Sequence, residues 1–297
     1  MTRSKIYKFD DEFKRKARAH QFKFRDEILR VSYDDKNPQV MLTPEAAKDG
    51  LIFYAGYRDY IRKKVTDFRA TALYSNMLRS EHIPFNIFTP MELDKSGAVN
   101  LFNKIIGGGI SLVKDIKIEF AGNENRCAYL NDGTSFDVYI EYVAVDGRNG
   151  GIGIEVKYTE QGYRLGKKEK EDILKPDGPY KLKTERCGFY KDDLTISRFI
   201  TDNDLRQIWR NHILGFSMID IGQIAYFHHI HLYPKGNIHF AEHALPNYKK
   251  LLTDKGRESF KDICFEELFE LMKTIFKTEE QTNWINYLQR RYIVDNE

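Results

Sequence analysis

Two runs of apolar residues, separated by a cluster of turn-forming residues, organise the middle of the chain between positions 136 and 159. Both runs are rich in β-branched and aromatic residues, and the cluster between them has the sequence Asp146-Gly147-Arg148-Asn149-Gly150-Gly151. Apolar strands joined by Asp, Asn and Gly are typical of a β-hairpin. We therefore predict a first strand that begins at Phe136 and a second strand from Gly151 to Thr159.

Alternation of side chains along a strand sorts these residues onto two faces. The apolar faces are formed by Phe136, Val138, Ile140 and Tyr142 in the first strand and by Ile152, Ile154, Val156 and Tyr158 in the second. The opposite faces carry Asp137 in the first strand and Gly153, Glu155 and Lys157 in the second. Because the start of a hairpin's first strand lies beside the end of its second, Asp137 should lie near Glu155 and Lys157. Gly153 on that face would let a bulky polymer backbone approach closely.

Two carboxylates and one ammonium group at one place suit a specific chemistry. Magnesium takes oxygen ligands, commonly one or two carboxylates together with waters and phosphate oxygens. Such a metal activates a coordinated water and stabilises charge on a phosphoryl group, and a neighbouring lysine can orient or activate that water. Asp137, Glu155 and Lys157 are therefore candidate catalytic residues for phosphodiester hydrolysis. The alternative is a cross-strand ion pair on a solvated face, because Glu-x-Lys is common on amphipathic strands.

The position of Glu155-x-Lys157 at the end of an apolar strand, with Asp137 near the start of the preceding strand, resembles the core of the PD-(D/E)xK phosphodiesterase superfamily. Phe136 stands where the nominal proline of that superfamily would be. The stretch from Leu78 to Phe88 is similar to one in a bacterial restriction-endonuclease-like family of mostly unassigned substrate, and the resemblance covers about residues 70–235.

This resemblance implies a fold, a reaction and a set of ligands. The fold is α/β, with a restriction-endonuclease-like αβββαβ core in which helices flank a mixed central sheet. The reaction is metal-dependent hydrolysis of DNA, with Mg²⁺ as the cofactor and Mn²⁺ as a substitute. The implied metal ligands are Asp137, Glu155, the backbone carbonyl of Val156, and Glu81 at the end of a preceding helix. The alternative on the same fold is a nucleic-acid-binding or regulatory module that does not cleave.

Hydrophobic periodicity elsewhere predicts the surrounding elements. We expect helices over residues 9–30, from Thr43-Pro44 onward, through 51–79 with a stop at Pro84, and over 98–106, 202–219, 265–274 and 282–291, with strands over 110–120 and 221–232. The predicted organisation is an N-terminal helical extension (1–70), a nuclease-like core (71–235) and a C-terminal helical extension (236–297), all in one compact unit.

Candidate nucleic-acid contacts lie in and after the segment 160–193, which interrupts the apolar rhythm with many basic residues. The segment is predicted to be a long surface insertion, either a basic flap over DNA or a merely solvated loop. Arg164, Lys167 and Lys168 are its candidate phosphate contacts. Gln207 and Arg210, on the helix predicted for 202–219, are further candidates.

Composition and charge bear on the binding partner and the cellular location of the protein. The net charge of +3 permits nucleic-acid binding without demanding it. Three scattered cysteines without a C-x-x-C pair, and no apolar stretch of membrane-spanning length, favour a cytoplasmic protein. The sequence does not specify the oligomeric state. A homodimer is one alternative, by analogy with enzymes that cut two strands. A zinc hydrolase that uses the H-x-x-E-H pattern of His239 and His243 is disfavoured, because Pro246 interrupts the long helix which that chemistry needs.

Overall fold

The computed structural model describes residues 7–8, 10–33, 40–65, 74–122, 126–162, 164, 166–175, 177–191 and 196–294. Its α-helices are α1 (Glu12–Phe24), α2 (Pro44–Lys48), α3 (Arg58–Lys64), α4 (Ile83–Ile87), α5 (Lys95–Ile106), α6 (Lys167–Ile173), α7 (Pro179–Cys187), α8 (Ile196–Thr201), α9 (Arg206–Asp220), α10 (Leu245–Lys250), α11 (Asp254–Ser259), α12 (Phe265–Ile275) and α13 (Glu279–Tyr292). Its strands are β1 (Ile110–Phe120), β2 (Phe136–Ala144), β3 (Asn149–Val156), β4 (Tyr226–Tyr233) and β5 (Phe260–Cys264). Short π-helical turns span Arg25–Leu29 and His239–Ala244, and 3-10 turns span Thr89–Leu93 and Arg126–Ala128.

A mixed sheet of five strands, in the order β1-β2-β3-β4-β5, forms the centre of the fold. β1, β2 and β3 pair antiparallel, whereas β4 runs parallel to both β3 and β5. The predicted hairpin is confirmed as β2 and β3, with Val138 opposite Ile154. Its turn contains Gly147 with a φ of 84°, a conformation that glycine adopts without strain. The order α5-β1-β2-β3-α9-β4 confirms the expected αβββαβ core.

Both faces of this sheet are covered, so β2 and β3 are buried on two sides. One hydrophobic layer lies between the sheet and helices from both ends of the chain; it includes Ala17, Leu101, Val138, Ile140, Ile152, Ile154, Phe269 and Trp284. The second layer lies under α7 and α9 and includes Tyr139, Tyr180, Trp209, Ile213 and Phe227. A charged residue on β2 or β3 must therefore be placed at a strand end or be held by partners inside the protein.

Several predicted boundaries are wrong, each for a local reason. Pro84 lies in the first turn of α4 and begins that helix instead of ending one, because a proline at the first helical positions loses no hydrogen bond. In the described part of 51–79 the main helix is the short α3, and residues 66–73 lie outside the described residues. The helix predicted from 202 begins only at Arg206.

The prediction of a single surface insertion over residues 160–193 is also wrong. Its described residues include α6 and α7, and Tyr180, Cys187 and Phe189 are buried in the second hydrophobic layer. The many basic residues of this segment made the apolar positions of α7, which packs on α9, hard to recognise in the sequence. β5 was not predicted at all, since its five residues, Phe-Lys-Asp-Ile-Cys, are too short to show a clear period.

Candidate active site

A row of ionisable residues crosses the sheet where β2 begins and β3 ends. The β2–β3 register, which pairs Val138 with Ile154, brings Asp137 opposite Glu155. On the other side of β3, Glu155 is paired with His231 of β4. Glu119 of β1 lies between Ile118 and Phe120, which pair with Val138 and Phe136, and it therefore stands opposite Asp137. Strand pairing alone thus places three carboxylates, one on each of three neighbouring strands, in a row across the sheet.

Asp137 is fixed by the backbone of the neighbouring strand. Its Oδ2 accepts a hydrogen bond from the backbone N–H of Val156 at 2.7 Å. Burial, and then the negative charge of Glu155, raise the pKa of Asp137 well above its ordinary value, although Lys157 and the Val156 N–H act in the opposite direction. The positive charge of Lys157 is therefore outweighed, and the ionised form of Asp137 is disfavoured.

Glu155 is almost fully buried, with 1% of its surface exposed, and three side chains hold its carboxylate. Lys157 and Gln207 donate hydrogen bonds to its Oε1, and Asn211 donates to its Oε2. Gln207 and Asn211 are four residues apart on α9, so they lie on the same face of that helix. Together these donors fix the orientation of the Glu155 carboxylate.

Lys157 completes the group beside β3. Burial opposes its charge, but Glu155 and Asp137 outweigh that effect and raise the pKa of Lys157 above its ordinary value. The predicted proximity of Asp137, Glu155 and Lys157 is therefore present in the structure, with Lys157 as an ammonium ion paired to Glu155. Glu155 and Lys157 are buried, which distinguishes their ion pair from one on a solvated strand face.

Glu81 reaches the edge of this group from a turn that precedes α4, and not from the end of a helix as predicted. The turn is tied to the end of β3, because Ser80 donates its backbone N–H to Glu160 at 2.8 Å and Thr159 donates its hydroxyl to the Leu78 carbonyl at 3.1 Å. Burial acts against ionisation, but the hydrogen bond from Arg79 and the charges of Arg79 and Lys157 lower the pKa of Glu81. Its Oε2 is buried without a hydrogen-bond partner among the described residues.

Two details of the predicted strand faces are wrong. Phe136 belongs to the second hydrophobic layer with Tyr139, and not to the apolar face of Val138. A Cβ atom on Gly153 would collide with the Phe136 ring. The glycine therefore makes room for an aromatic side chain of the protein itself, and not for the close approach of a ligand.

The predicted nucleic-acid contacts fall into two groups. Arg164 and Lys167 are exposed, and the side chain of Lys168 lies outside the described residues. Gln207 bonds Glu155, and Arg210 is buried between Asp132 and Glu169, with Nη–Oδ2 and Nη–Oε1 distances of 2.8 and 2.6 Å. The side chains of Gln207 and Arg210 are thus bound to other residues of the protein, and in this arrangement neither is free to contact a phosphate.

Arg210 also borders a cavity of about 340 Å³, which Gln207 and Asn211, the two α9 residues that bond Glu155, line as well. The cavity is lined by Asp132, Gly133, Thr134, Ser135, Glu169, Gln207, Arg210 and Asn211. Through Glu169 the ion pairs of Arg210 attach α6 to α9, so the basic segment is fixed next to the site.

Sequence reasoning missed two residues, Asn211 and Glu119. Asn211 follows Gln207 by one helical turn, and this spacing on a helix expected beside the site was the available signal. Glu119 is the penultimate residue of a strand that was predicted correctly, but its place beside Asp137 depends on the β1–β2 register, which the sequence does not specify.

The donor set fits a hard divalent cation, although the carboxylates are not drawn together in this arrangement. Among the described residues, no three His, Cys, Asp or Glu side chains form a ready metal cluster. Two properties of these side chains favour a bound cation. The carboxyl groups of Asp137 and Glu155 repel each other, and Glu81 has a buried oxygen without a hydrogen-bond partner among the described residues. Oxygen donors with excess negative charge are what Mg²⁺ and Mn²⁺ prefer.

Within the described ranges, the histidines of β4 and of the second π-helical turn belong to no group of three His, Cys, Asp or Glu side chains that could hold a metal ion. His229 and His231 are fully buried, and neither ring nitrogen of either residue has a hydrogen-bond partner within the described part of the chain. His239 lies 3.6 Å from Asp204, and His243 is exposed on the π-helical turn. Burial lowers the pKa of His229 to about 3, so its imidazole is neutral at physiological pH.

Comparison with known proteins gives one match. A family model described as the PD-(D/E)XK nuclease superfamily matches residues 8–294. The match extends well beyond residues 70–235, so it includes the helices at both ends. No curated protein and no solved structure matches the chain. None of the helices in the described ranges is both long and apolar enough to cross a bilayer.

Proposed function

Because the chain belongs to the PD-(D/E)XK nuclease superfamily, we propose that it is a Mg²⁺-dependent endonuclease that hydrolyses DNA phosphodiester bonds. The observation that supports this proposal best is the meeting of Asp137, Glu155 and Lys157 at adjacent ends of β2 and β3. Asp137 and Glu155 would hold the metal, with the Val156 carbonyl and Glu81 as further oxygen ligands.

The metal, when bound, lowers the pKa of a coordinated water and offsets charge on the scissile phosphate. Lys157 is positively charged in the free protein, so its role is to donate: it holds the attacking water or stabilises the negative charge that develops on the phosphate. Gln207 and Asn211 keep the Glu155 carboxylate in one orientation, which limits the rearrangement that metal binding requires.

DNA would be bound mainly through its phosphates. Arg164 and Lys167 are exposed and lie in the segment that Arg210 fixes next to the site, and we propose these two residues and Lys168 as phosphate contacts. Gln207 and Arg210 instead support the site from inside the protein. Contacts between exposed cations and phosphates become weaker in salt. The affinity for DNA should therefore fall as the salt concentration rises.

Cleavage of a substrate panel tests the proposal. Supercoiled plasmid, linear duplex, single-stranded DNA and RNA are incubated with the protein in EDTA, Mg²⁺ or Mn²⁺, beside the variants Lys157→Ala and Glu155→Ala. We expect cutting of DNA that requires the metal and disappears in both variants. Salt-sensitive DNA binding without any cutting would instead support a binding module on the same fold.

A further inference from the structure

Glu119 is a carboxylate of this site that the predicted ligand set leaves out. It lies on β1, opposite Asp137 in the β1–β2 register, at the same level of the sheet as Glu155. Its backbone has a φ of 54°, in the left-handed region that non-glycine residues rarely adopt. β1 thus departs from regular strand geometry at the one carboxylate that it brings beside the metal-binding pair.

The strand register places Glu119 in line with Asp137 and Glu155, on three neighbouring strands of the sheet. The residue as a whole is exposed, but partial loss of hydration at its carboxyl group, and then the negative charges of Glu155 and Glu81, raise the pKa of Glu119 to about 7. Lys157 acts in the opposite direction, and Glu119 in turn helps to raise the pKa of Asp137. The group therefore interacts with every carboxylate assigned to the metal.

The four carboxylates at this place carry more negative charge than the neighbouring cations offset. Within the described ranges, Glu81 forms an ion pair with Arg79, and Glu155 forms one with Lys157. Asp137 and Glu119 form no ion pair with another residue of those ranges, so two negative charges remain when all four carboxylates are ionised. A divalent cation beside these two carboxylates would neutralise that excess.

We propose that Glu119 is a further carboxylate ligand of the metal site, placed on β1 opposite Asp137. The inference rests on the proposed function, because it concerns the same metal. It assigns Glu119 a direct part in holding the cation, either to the ion itself or through one of its waters. The ligands of the metal would then come from three neighbouring strands and the turn before α4.

The test measures metal binding instead of cleavage. Mn²⁺ binding to the metal-free full chain is followed by electron paramagnetic resonance for the wild type and for Glu119→Gln, which keeps the size of the side chain. We expect an affinity about tenfold weaker or worse in the variant, since affinity depends on the number of charged ligands. The matched control is Glu141→Gln on β2, whose carboxylate pairs with Lys114 and Lys117 at 2.9 and 3.0 Å, and Mn²⁺ affinity should not change there.

Thermal unfolding in EDTA provides a second readout. Loss of a repelling charge should leave the Tm of Glu119→Gln equal to or above that of the wild type, while the increase in Tm on adding Mg²⁺ becomes smaller. Equal Mn²⁺ affinity in Glu119→Gln and the wild type would overturn the inference alone. A wild type that binds no Mn²⁺ would overturn the inference and the proposed metal site together.

Discussion

The side-chain amide of Asn211 donates a hydrogen bond to Oε2 of Glu155, a residue 56 positions earlier in the chain. Both residues are 1% exposed. With Gln207 on Oε1, the helix α9 thus provides a donor to each oxygen of the carboxylate that ends β3. The geometry of the site therefore depends on how α9 packs on the sheet, and not on the hairpin alone.

Replacing Asn211 should affect both stability and metal binding. Asn211→Leu keeps the approximate size of the side chain but leaves a buried carboxylate oxygen without its donor, which costs about 1–3 kcal/mol. We expect that loss in urea unfolding, together with weaker Mn²⁺ binding, because Glu155 is no longer held in one orientation. Ser217→Ala, which removes a buried hydroxyl on the same helix that bonds the Ile213 carbonyl, should reduce stability without changing Mn²⁺ affinity. If both variants bind Mn²⁺ equally well, Asn211 has no positioning role.

Arg210 and Lys167 should behave differently although both were predicted to contact nucleic acid. Arg210→Ala leaves Asp132 and Glu169 without their buried partner, and the loss of one member of such a pair costs about 3–5 kcal/mol. Lys167→Ala removes an exposed charge, so it should leave the free energy of unfolding nearly unchanged and weaken DNA binding with a smaller dependence on salt. Urea unfolding and DNA-binding titrations at two salt concentrations separate these effects. A stable Arg210→Ala protein with weakened DNA affinity would show that Arg210 contacts DNA after all.

The proximity of Asp137, Glu155 and Lys157, the proposed catalytic residues, could be predicted from sequence because it depends on local pattern. Hairpin pairing and strand parity are short-range properties, and they correctly brought Asp137, Glu155 and Lys157 together. The supports of these residues depend on contacts between distant segments, as with Asn211 and Glu155. Phe136 departs from simple parity because it packs against Gly153, a contact that becomes visible only when the twisted strands are in place.

The buried histidines should make stability fall in acid. The pKa of His229 is lowered to about 3 by burial, against about 6.5 in an unfolded chain. Between these values the unfolded chain binds a proton that the folded protein does not, so stability decreases as pH falls from about 6.5 toward 3. His229→Leu removes one such group, and the slope of unfolding free energy between pH 4 and pH 6 should decrease by about 1.4 kcal/mol per pH unit.

Urea unfolding over that pH range measures the slope. His212 and His231, whose rings adjoin that of His229 and whose pKa values burial also lowers, should keep part of the acid sensitivity. His243→Gln is the control, since its side chain is exposed. An unchanged slope in His229→Leu would mean that this histidine does not resist protonation in the folded protein.

Arg291 should be the more important of two adjacent arginines in α13. Its guanidinium is fully buried, donates to the Ile52 carbonyl, and lies 5.1 Å from the Tyr292 ring centroid. Arg291→Ala should cost about 3 kcal/mol, because these polar groups lose their partner inside the protein. Arg290 is exposed, and Arg290→Ala should stay within about 0.5 kcal/mol of the wild type. Equal stabilities of the two variants in urea would contradict the structural role of Arg291.

The contrast between these arginines also shows a limit of sequence reasoning. Adjacent residues of one type on an amphipathic helix differ only in the face that they occupy, and a basic residue is normally assigned to the solvent face. Arg291 instead faces inward, where the carbonyl and aromatic groups around it come from a segment more than 200 positions earlier as well as from its own helix. No local pattern encodes that contact.

The most direct measurement is the rate at which supercoiled plasmid is nicked in Mg²⁺ by the wild type and by Lys157→Met, with EDTA as the blank. Methionine keeps an unbranched side chain but removes the ammonium group that donates to Glu155. We predict nicking by the wild type that EDTA abolishes, and a rate at least about a hundredfold lower in a Lys157→Met protein that is still folded. Equal rates in the two proteins would contradict the account, because cutting would then not arise from the site at the ends of β2 and β3.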